Sequence, residues 1–177
     1  MGKVVQVFRE SRVDRTVVVL GAGASRVRKS LKLQDETVVI NSAYREGMSG
    51  SLKAGLRAVE GEADAVIIAL GDQPLVSPGT VDLMIETYLR KKAAVVVPVY
   101  RGRRGNPVLF DRALFPQLEE ITGDVGAKSV VMRNESNLVE AEVDDDGVAV
   151  DIDTPEDYAG VSSMKRSKDR QRSRARA

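Results

Sequence analysis

Short runs of β-branched residues alternate with segments of helical periodicity along most of this chain. Four of the runs read RTVVVLG, ETVVIN, ADAVIIALGD and AAVVVPVY, and helix-like stretches follow the first three of them. Strands that are apolar on both faces and alternate with helices are typical of parallel sheets covered by helices on both sides. The pattern therefore predicts an α/β fold, a three-layer sandwich around a mostly parallel sheet.

The remaining segments complete this prediction. A helix is expected over KVVQVFRESRV, ahead of the first strand, and further strands over GNPVLF, LVEAEV and VAVDID. Helices are expected over DRALFPQLEEI and VGAKSVVMRN, and a last one begins at Thr154 with Pro155 in its first turn.

Composition narrows the chemistry that such a fold could carry out. The chain has 177 residues, 42% of them hydrophobic and 30% charged, which suits one domain with a proper core. It contains no Cys and no His, which excludes thiolate and imidazole catalysis and most zinc sites. Without cysteines or a signal-peptide core, a cytoplasmic location is the expectation.

Charge is distributed unevenly. The C-terminal stretch MKRSKDRQRSRARA holds seven Lys and Arg and one Asp, a local charge of +6 that leaves −5 for the rest of the chain. We expect residues 1–162 to form the domain and residues 163–177 to be a basic, disordered tail. The acidic balance of the domain argues against a reader of specific nucleic acid sequences, and the apolar runs are too short for a membrane span.

Ligands of parallel α/β sheets bind at the carboxyl ends of the strands, so the residues that follow each strand are the candidates. Asp72 follows the ADAVIIAL strand directly, between Gly71 and Pro74. Its carboxylate could hold Mg²⁺ together with substrate phosphates, although a turn or helix-capping role is equally ordinary for Asp.

Two further strand ends carry groups that suit anions. Gly47, Ser49, Gly50 and Ser51 lead into a helix, which offers backbone amides and hydroxyls to a phosphate unless the serines only cap that helix. Arg101, Arg103 and Arg104 lie between glycines, and three guanidinium groups on a turn suit a phosphorylated ligand, or else an exposed charged hairpin.

The last candidates are acidic. Asp124 lies between glycines at a helix start, with Lys128 one turn later. Asp151 and Asp153 alternate at a strand end, so one of them could complete a metal pair with Asp72, or Asp153 could merely precede the Thr154 cap. Acids, amides and arginines at the ends of one sheet, without His, fit Mg²⁺-dependent phosphoryl or nucleotidyl transfer.

Five segments, REGMSGSLKAGL, LGDQPLVSP, PVYRGRRGNPVLF, TGDVGAKSVV and DIDTPEDY, resemble in order and spacing the nucleotidyltransferases of molybdenum cofactor maturation. The likeness covers residues 3–160 and is strongest to the molybdenum cofactor cytidylyltransferase type. It implies a nucleotide-diphosphosugar-transferase-like, Rossmann-like fold. It also implies that the molybdopterin phosphate attacks the α-phosphate of CTP and releases pyrophosphate, with Mg²⁺ as cofactor.

On matching positions, the resemblance implies that Asp72 and Asp153 are the catalytic carboxylates that hold the metal. Residues 47–51 would line the nucleotide or acceptor site, and residues 105–107 and 123–127 the pterin side. The implied binding residues are Asn41, Gly47, Met48, Ser49, Ser51, Gln73, Pro74, Arg101, Gly105, Asn106, Pro107, Gly123, Asp124 and Gly126.

The chain departs from the family pattern at three places. Asn106 stands where the family usually has His, and Lys128 where Arg is usual. The stretch VVVLGAGASRVRKSLK matches the family's phosphate loop, L-x-A-G-x-S-x-R-x-G-x-x-K, at five positions, but Val27 and Lys29 break the motif. Its context resembles the family's second strand, so we expect the chain to lack the phosphate loop and the first, central strand.

That expectation has structural and functional consequences. The strand at 16–20 is expected either to pair directly with the strand at 65–70 or to leave a gap that another chain fills. Activity could be impaired without the loop. The alternatives are a guanylyltransferase or other small-molecule nucleotidyltransferase, or a non-catalytic protein that binds the molybdenum cofactor and passes it to a molybdenum hydroxylase-type enzyme.

Overall fold

A computed structural model describes residues 1–150 of the chain. The helices are α1 (Gly2–Arg9), α2 (Ala24–Ser30), α3 (Met48–Arg57), α4 (Pro78–Lys91), α5 (Phe115–Glu119) and α6 (Lys128–Arg133). The strands are β1 (Val17–Leu20), β2 (Thr37–Ile40), β3 (Ala65–Ile68), β4 (Val95–Tyr100), β5 (Arg103–Arg104), β6 (Val108–Asp111) and β7 (Leu138–Glu142). This alternation confirms the predicted α/β class.

The strands form two separate sheets. β1 and β2 pair in parallel with each other, whereas β3, β6, β4 and β5 follow one another in a larger sheet in which β7 also pairs with β4. β7 runs parallel to β4, and β6 runs antiparallel to both β3 and β4. The fold is therefore α/β with a mixed sheet, in which β3 and β4 point in the same direction.

β1 and β3 do not pair in the structure, so the expectation that these two strands pair directly is wrong. Each has its own partner, β2 for β1 and β6 for β3. The two strands nevertheless begin at the same end of the molecule, because Arg15, just before β1, forms a 3.0 Å ion pair with Glu62, just before β3. They therefore run parallel across a gap.

Helices cover both faces of the larger sheet, which gives the predicted three layers. On one face Val95, Val97 and Val99 of β4 pack with side chains of α3, α5 and α6. On the other face Val96 packs against Met84 of α4, which is fully buried. Alternating side chains of one strand thus serve two cores, as expected for a strand buried on both faces.

α1 runs antiparallel to the strands beneath it. Its last residue, Arg9, binds Glu36 at the start of β2, while Met1 at its other end reaches Gly71, just past β3. The residue that begins α1 therefore lies at the carboxyl edge of the strands. Among the helices of residues 1–150, none is both long and apolar enough to cross a bilayer.

The strand predicted over VAVDID is wrong in the part that the structure describes. Asp146–Ala149 form a 3-10 helix, because the side chain of Asp145 accepts a 3.0 Å hydrogen bond from the Gly147 amide and closes a turn. The rest of that segment, the helix after Thr154 and the basic tail lie outside the described residues.

Candidate active site at the carboxyl edge of the sheet

Two loops that are far apart in sequence meet at the start of α3. The amide of Met48 donates a 3.0 Å hydrogen bond to the Asp124 carboxylate, and the amide of Ser49 donates a 3.1 Å bond to the Gly123 carbonyl. Both amides belong to the first turn of the helix, where backbone donors lack partners within the helix. The contact joins the segment predicted to line the nucleotide or acceptor site to a loop predicted to line the pterin side.

Glycine is required at this junction for two reasons. Gly47 has φ 109° and ψ 176°, a backbone region that residues with a Cβ essentially avoid. A Cβ built there would also lie 2.6 Å from the Gly123 carbonyl carbon and oxygen. Any side chain at Gly47 would push the two loops apart.

The serines that follow do not cap α3, which corrects the simpler interpretation of this segment. Gly47 occupies the N-cap position without a side-chain bond. The Ser51 hydroxyl accepts a 3.1 Å bond from the Asn41 side chain, whose oxygen in turn accepts a 3.0 Å bond from the Ala43 amide. Asn41 is 8% exposed, so it fixes the chain after β2 against the first turns of α3.

Asp72 lies in the turn after β3 with its side chain exposed. The next two residues, Gln73 and Pro74, are buried and anchor that turn. Burial lowers the pKa of the amino group of Met1, while the nearby Asp72 charge acts in the opposite direction. The Asp72 carboxylate is therefore exposed at the carboxyl edge, where a ligand can reach it, while its buried neighbours hold the turn in place.

Asp145 is a positioning residue that the sequence reasoning missed. Its carboxylate accepts a 2.8 Å bond from the Ser77 amide and a 2.6 Å bond from the Thr80 hydroxyl. It thereby holds the segment of residues 145–149 against the loop that carries Asp72 and against the start of α4. The run of three aspartates followed by glycine was the available signal, since Asp accepts bonds from backbone amides at such turns.

Residues 105–107 lie against the same segment. The Asn106 amide donates a 2.9 Å bond to the Val148 carbonyl, and a Cβ on Gly105 would overlap that carbonyl oxygen. The bond between Asn106 and Pro107 is cis. The segment of residues 145–149 thus packs against two parts of the candidate site. These are residues 105–107, predicted to line the pterin side, and the loop after β3.

The three arginines of the β4–β5 turn do not act as one cluster. Arg104 donates to Glu135 at 2.7 and 2.9 Å and to Glu140 at 2.7 Å, and these carboxylates raise the pKa of its guanidinium. Arg101 lies over the Tyr100 ring, 5.1 Å from its centroid. Two glutamates already neutralise Arg104, so the alternative of an exposed charged hairpin fits this residue better, and binding of a phosphorylated ligand by the turn stays a prediction.

One large cavity connects several of the predicted residues. It has a volume of about 1310 Å³ and extends from the gap between β1 and β3 to the carboxyl edge. The predicted residues that line it are Met48, Ser51, Gly105, Asn106 and Gly126. Asp72 and Arg101 do not line it, although Gly71, next to Asp72, does.

The described residues contain no group of three or more acidic side chains placed to share a metal ion. Asp153, the second predicted metal ligand, lies outside the described part of the chain. Mg²⁺ needs only one or two carboxylates when substrate phosphates complete its coordination. The exposed, hard oxygen donors of Asp72 fit that requirement.

The chain is similar in sequence to a purine catabolism protein. Over 115 residues the chain is 30% identical to the purine catabolism protein PucB of Bacillus subtilis, and the match covers 64% of this chain and 55% of PucB. The chain thus spans about half the length of that relative.

Solved structures with the same fold cover more of the chain. Rv0371c from Mycobacterium tuberculosis H37Rv superposes with a TM-score of 0.77 at 30% identity, covering 90% of this chain and 81% of that one. A second structure of Rv0371c, a complex with manganese, gives 0.75 at 29% identity over 89% and 83% of the two chains. A nucleotidyl transferase from Methanothermobacter gives 0.76 at 25% identity, covering 92% and 78%.

The Methanothermobacter protein is a nucleotidyl transferase, and the family model agrees with this likeness. The model described as the MobA-like NTP transferase domain matches residues 1–143, which include the α3 junction, the Asp72 turn and residues 105–107. The chain therefore belongs to the MobA-like NTP transferase domain family.

Proposed function

We propose that this chain transfers CMP from CTP to molybdopterin. The observation that carries the proposal is the junction at α3, where the segment predicted to line the nucleotide or acceptor site and the predicted pterin-side loop are joined through Met48, Ser49, Gly123 and Asp124. Two substrates that must react need binding segments held in fixed relation, since positioning supplies much of the rate of phosphoryl transfer.

In the proposed reaction an oxygen of the molybdopterin phosphate attacks the α-phosphorus of CTP. The bond between that phosphorus and the oxygen bridging to the β-phosphate breaks, and its electron pair leaves with pyrophosphate. The products are a cytidine dinucleotide of the pterin and pyrophosphate. No side chain has to form a covalent intermediate, which agrees with a chain that has neither Cys nor His.

Asp72 and Asp153 are the residues proposed to hold a divalent ion, Mg²⁺ being the candidate. Such an ion neutralises charge on the triphosphate and on the leaving pyrophosphate. The exposure of Asp72 supports this role, and so does the fastening of the Asp72 loop by Asp145 to the segment that precedes Asp153 by a few residues. The manganese complex of Rv0371c supports a divalent metal in this fold.

Binding of the cofactor without catalysis is the second candidate function. The first two amides of α3 already have protein acceptors, so they are not open to a triphosphate in this conformation. A chain that binds the pterin through residues 105–107 and 123–127 could deliver it to a molybdenum hydroxylase-type recipient without turning over CTP. A guanylyltransferase remains the alternative within the enzyme class, because no described contact selects the base.

The test is release of pyrophosphate by the purified chain, with molybdopterin and Mg²⁺, from CTP and separately from GTP. We expect release from CTP above the background without molybdopterin, and little release from GTP. Release from GTP alone would make the protein a guanylyltransferase. Retention of molybdopterin without release from either nucleotide would favour the binding protein.

Asp72→Ala tests the assigned role of the carboxylate in the same assay. We expect this variant to lose turnover while its melting temperature stays close to that of the unaltered chain, because the side chain is exposed. Asp35→Ala is the matched control, since Asp35 is also an exposed loop aspartate but precedes β2, at the opposite edge. Retained turnover in Asp72→Ala would remove Asp72 from the site.

A further inference from the structure

Asn41 and Ser51 form a side-chain pair whose hydrogen-bonding direction is determined by the backbone around it. Asn41 follows β2, where its own amide donates a 2.8 Å bond to the Leu20 carbonyl. The side-chain oxygen of Asn41 accepts a 3.0 Å bond from the Ala43 amide. A backbone amide only donates, so this bond identifies the side-chain oxygen and leaves the NH₂ group as the other end.

The Ser51 hydroxyl is the acceptor of this pair. The NH₂ group of Asn41 has only donors to offer, so its 3.1 Å contact with the Ser51 oxygen uses a lone pair of the hydroxyl. Asn41 is buried, and a Cβ on Gly50 would lie 3.3 Å from its side-chain nitrogen. The side chain therefore has little room to turn over, and the direction of the bond is fixed.

The proton of the Ser51 hydroxyl is left without an acceptor among residues 1–150. Serines in helices commonly donate this proton to a carbonyl of the preceding turn. Ser11 and Ser30 do so, at 2.8 and 2.7 Å from a carbonyl three residues earlier. Ser51 is half-buried and lines the cavity that reaches the carboxyl edge, so its proton is available to a ligand there.

We propose that Asn41 is a positioning residue that presents the Ser51 hydroxyl as a hydrogen-bond donor to an unprotonated oxygen of the bound nucleotide. The inference rests on the proposed function for the identity of the ligand, and it adds the polarity of one contact. CTP has such oxygens on its phosphates and on the carbonyl of its base. A ligand without an acceptor at this position would leave the hydroxyl proton unpaired, which disfavours its binding.

An aspartate at position 41 would reverse the pair. One of its oxygens can still accept from the Ala43 amide, and the other can accept only a donated proton. The Ser51 hydroxyl would then turn its proton toward position 41 and away from the cavity. Since the two side chains have nearly the same size and shape, Asn41→Asp changes the polarity of the pair while it keeps the packing.

The experiment measures CTP binding to the full chain by isothermal titration calorimetry in the presence of Mg²⁺. We expect Ser51→Ala to weaken binding by about tenfold or more, because it removes a hydrogen bond to the ligand. Ser30→Ala is the matched control, since that hydroxyl is bonded within its own helix. This control should bind CTP as the unaltered chain does.

Asn41→Asp also adds a negative charge, which by itself repels CTP. The double variant Asn41→Asp/Ser51→Ala measures that charge effect alone, because no hydroxyl is left to redirect. We expect Asn41→Asp to weaken CTP binding by a factor about fivefold or more larger in the unaltered background than in the Ser51→Ala background. A merely structural role of Asn41 would give the same factor in both.

Equal CTP affinity of Ser51→Ala and the unaltered chain would overturn the proposal, and so would an equal effect of Asn41→Asp in the two backgrounds. A fall in the melting temperature of Ser51→Ala would also overturn it, since the hydroxyl would then stabilise the fold. So would the absence of CTP binding by the unaltered chain.

The same titrations with cytidine distinguish the two kinds of acceptor. A loss of affinity seen with CTP alone identifies a phosphate oxygen, and a loss seen with both identifies the carbonyl of the base. None of these measurements requires turnover. A chain that binds CTP but releases no pyrophosphate would contradict the proposed transfer, while the affinities of the variants would still decide the role of Asn41.

Discussion

Replacing Gly47 with Ala is expected to damage the α3 junction. The new Cβ would occupy a backbone region at φ 109° and ψ 176° that costs about 1–3 kcal/mol for a residue other than glycine. It would also lie 2.6 Å from the carbonyl atoms of Gly123, an overpacked contact worth roughly another 1–3 kcal/mol.

Together these costs predict a loss of about 2–6 kcal/mol, a large part of the roughly 5–15 kcal/mol that holds a domain folded. Urea unfolding followed by circular dichroism measures it, and the midpoint should fall by on the order of 1–2 M. Hydrogen exchange at the Ser49 amide should also accelerate, since this amide donates to the Gly123 carbonyl at 3.1 Å.

Gly61→Ala is the matched control. A Cβ added at Gly61 would meet no atom within 4 Å, and the φ of Gly61 is not positive. Ala there should therefore change the free energy of unfolding by less than about 0.5 kcal/mol. If Gly47→Ala unfolds at the same urea concentration as Gly61→Ala, the junction between residues 47–49 and 123–124 is not the constrained contact described above.

Three further outcomes are expected. Asp145→Ala should lower stability by about 2–4 kcal/mol in urea unfolding, because it removes the acceptor for two amides and a hydroxyl, whereas the exposed neighbour variant Asp144→Ala should change it by less than about 0.5 kcal/mol. Burial raises the pKa of Glu36, but bonds from the Gln34 amide and from Arg9 outweigh the effect of burial and hold that pKa below 4.5. The stability that this carboxylate contributes should therefore be lost as the pH falls below 4.5, and the decline in stability should be shallower in Glu36→Gln. Burial and a hydrogen bond to Asp111 raise the pKa of Tyr88 to about 12. The stability that the Tyr88 hydroxyl contributes should therefore be lost between pH 10 and 12. An ultraviolet titration of tyrosinate should show a late transition that Tyr88→Phe removes.

Each of these outcomes has a contrary result. Equal unfolding of the two aspartate variants would remove Asp145 from its positioning role. An acid stability profile unchanged in Glu36→Gln, or a late tyrosine transition that survives Tyr88→Phe, would show that the assigned contact does not cause the shift.

Local patterns in the sequence predicted the fold well where one segment determines its own conformation. The apolar run at 65–70 contains β3, and a helix, α4, follows it as expected, because apolar patterning and helix capping by Ser77 are local properties. The antiparallel direction of β6 was harder to predict, because it depends on which strands come together.

The candidate site shows the same division. The strand-end rule drew attention to the turn with Asp72, which comes after β3, and to residues 47–51, which come after β2 and a short 3-10 helix; their role in binding stays a prediction. It missed Asp145, whose partners are 65 and 68 residues away along the chain. It also left open whether Arg104 binds a phosphorylated ligand or lies in an exposed charged hairpin. The sequence could not decide this, because Glu135 and Glu140 come close to Arg104 only through the pairing of β4 with β5 and β7.

We propose that the nucleotide and its metal ion bind at the carboxyl edge, at Asp72 and the start of α3. Titration of Mn²⁺ into the isotope-labelled chain with CTP tests this placement, because the ion broadens the NMR signals of nearby amides. We expect the signals of residues 71–74 and 47–51 to broaden first and Asp72→Asn to abolish this selectivity. Broadening that begins at the acidic run 144–146, or that is unchanged in Asp72→Asn, would rule out this placement.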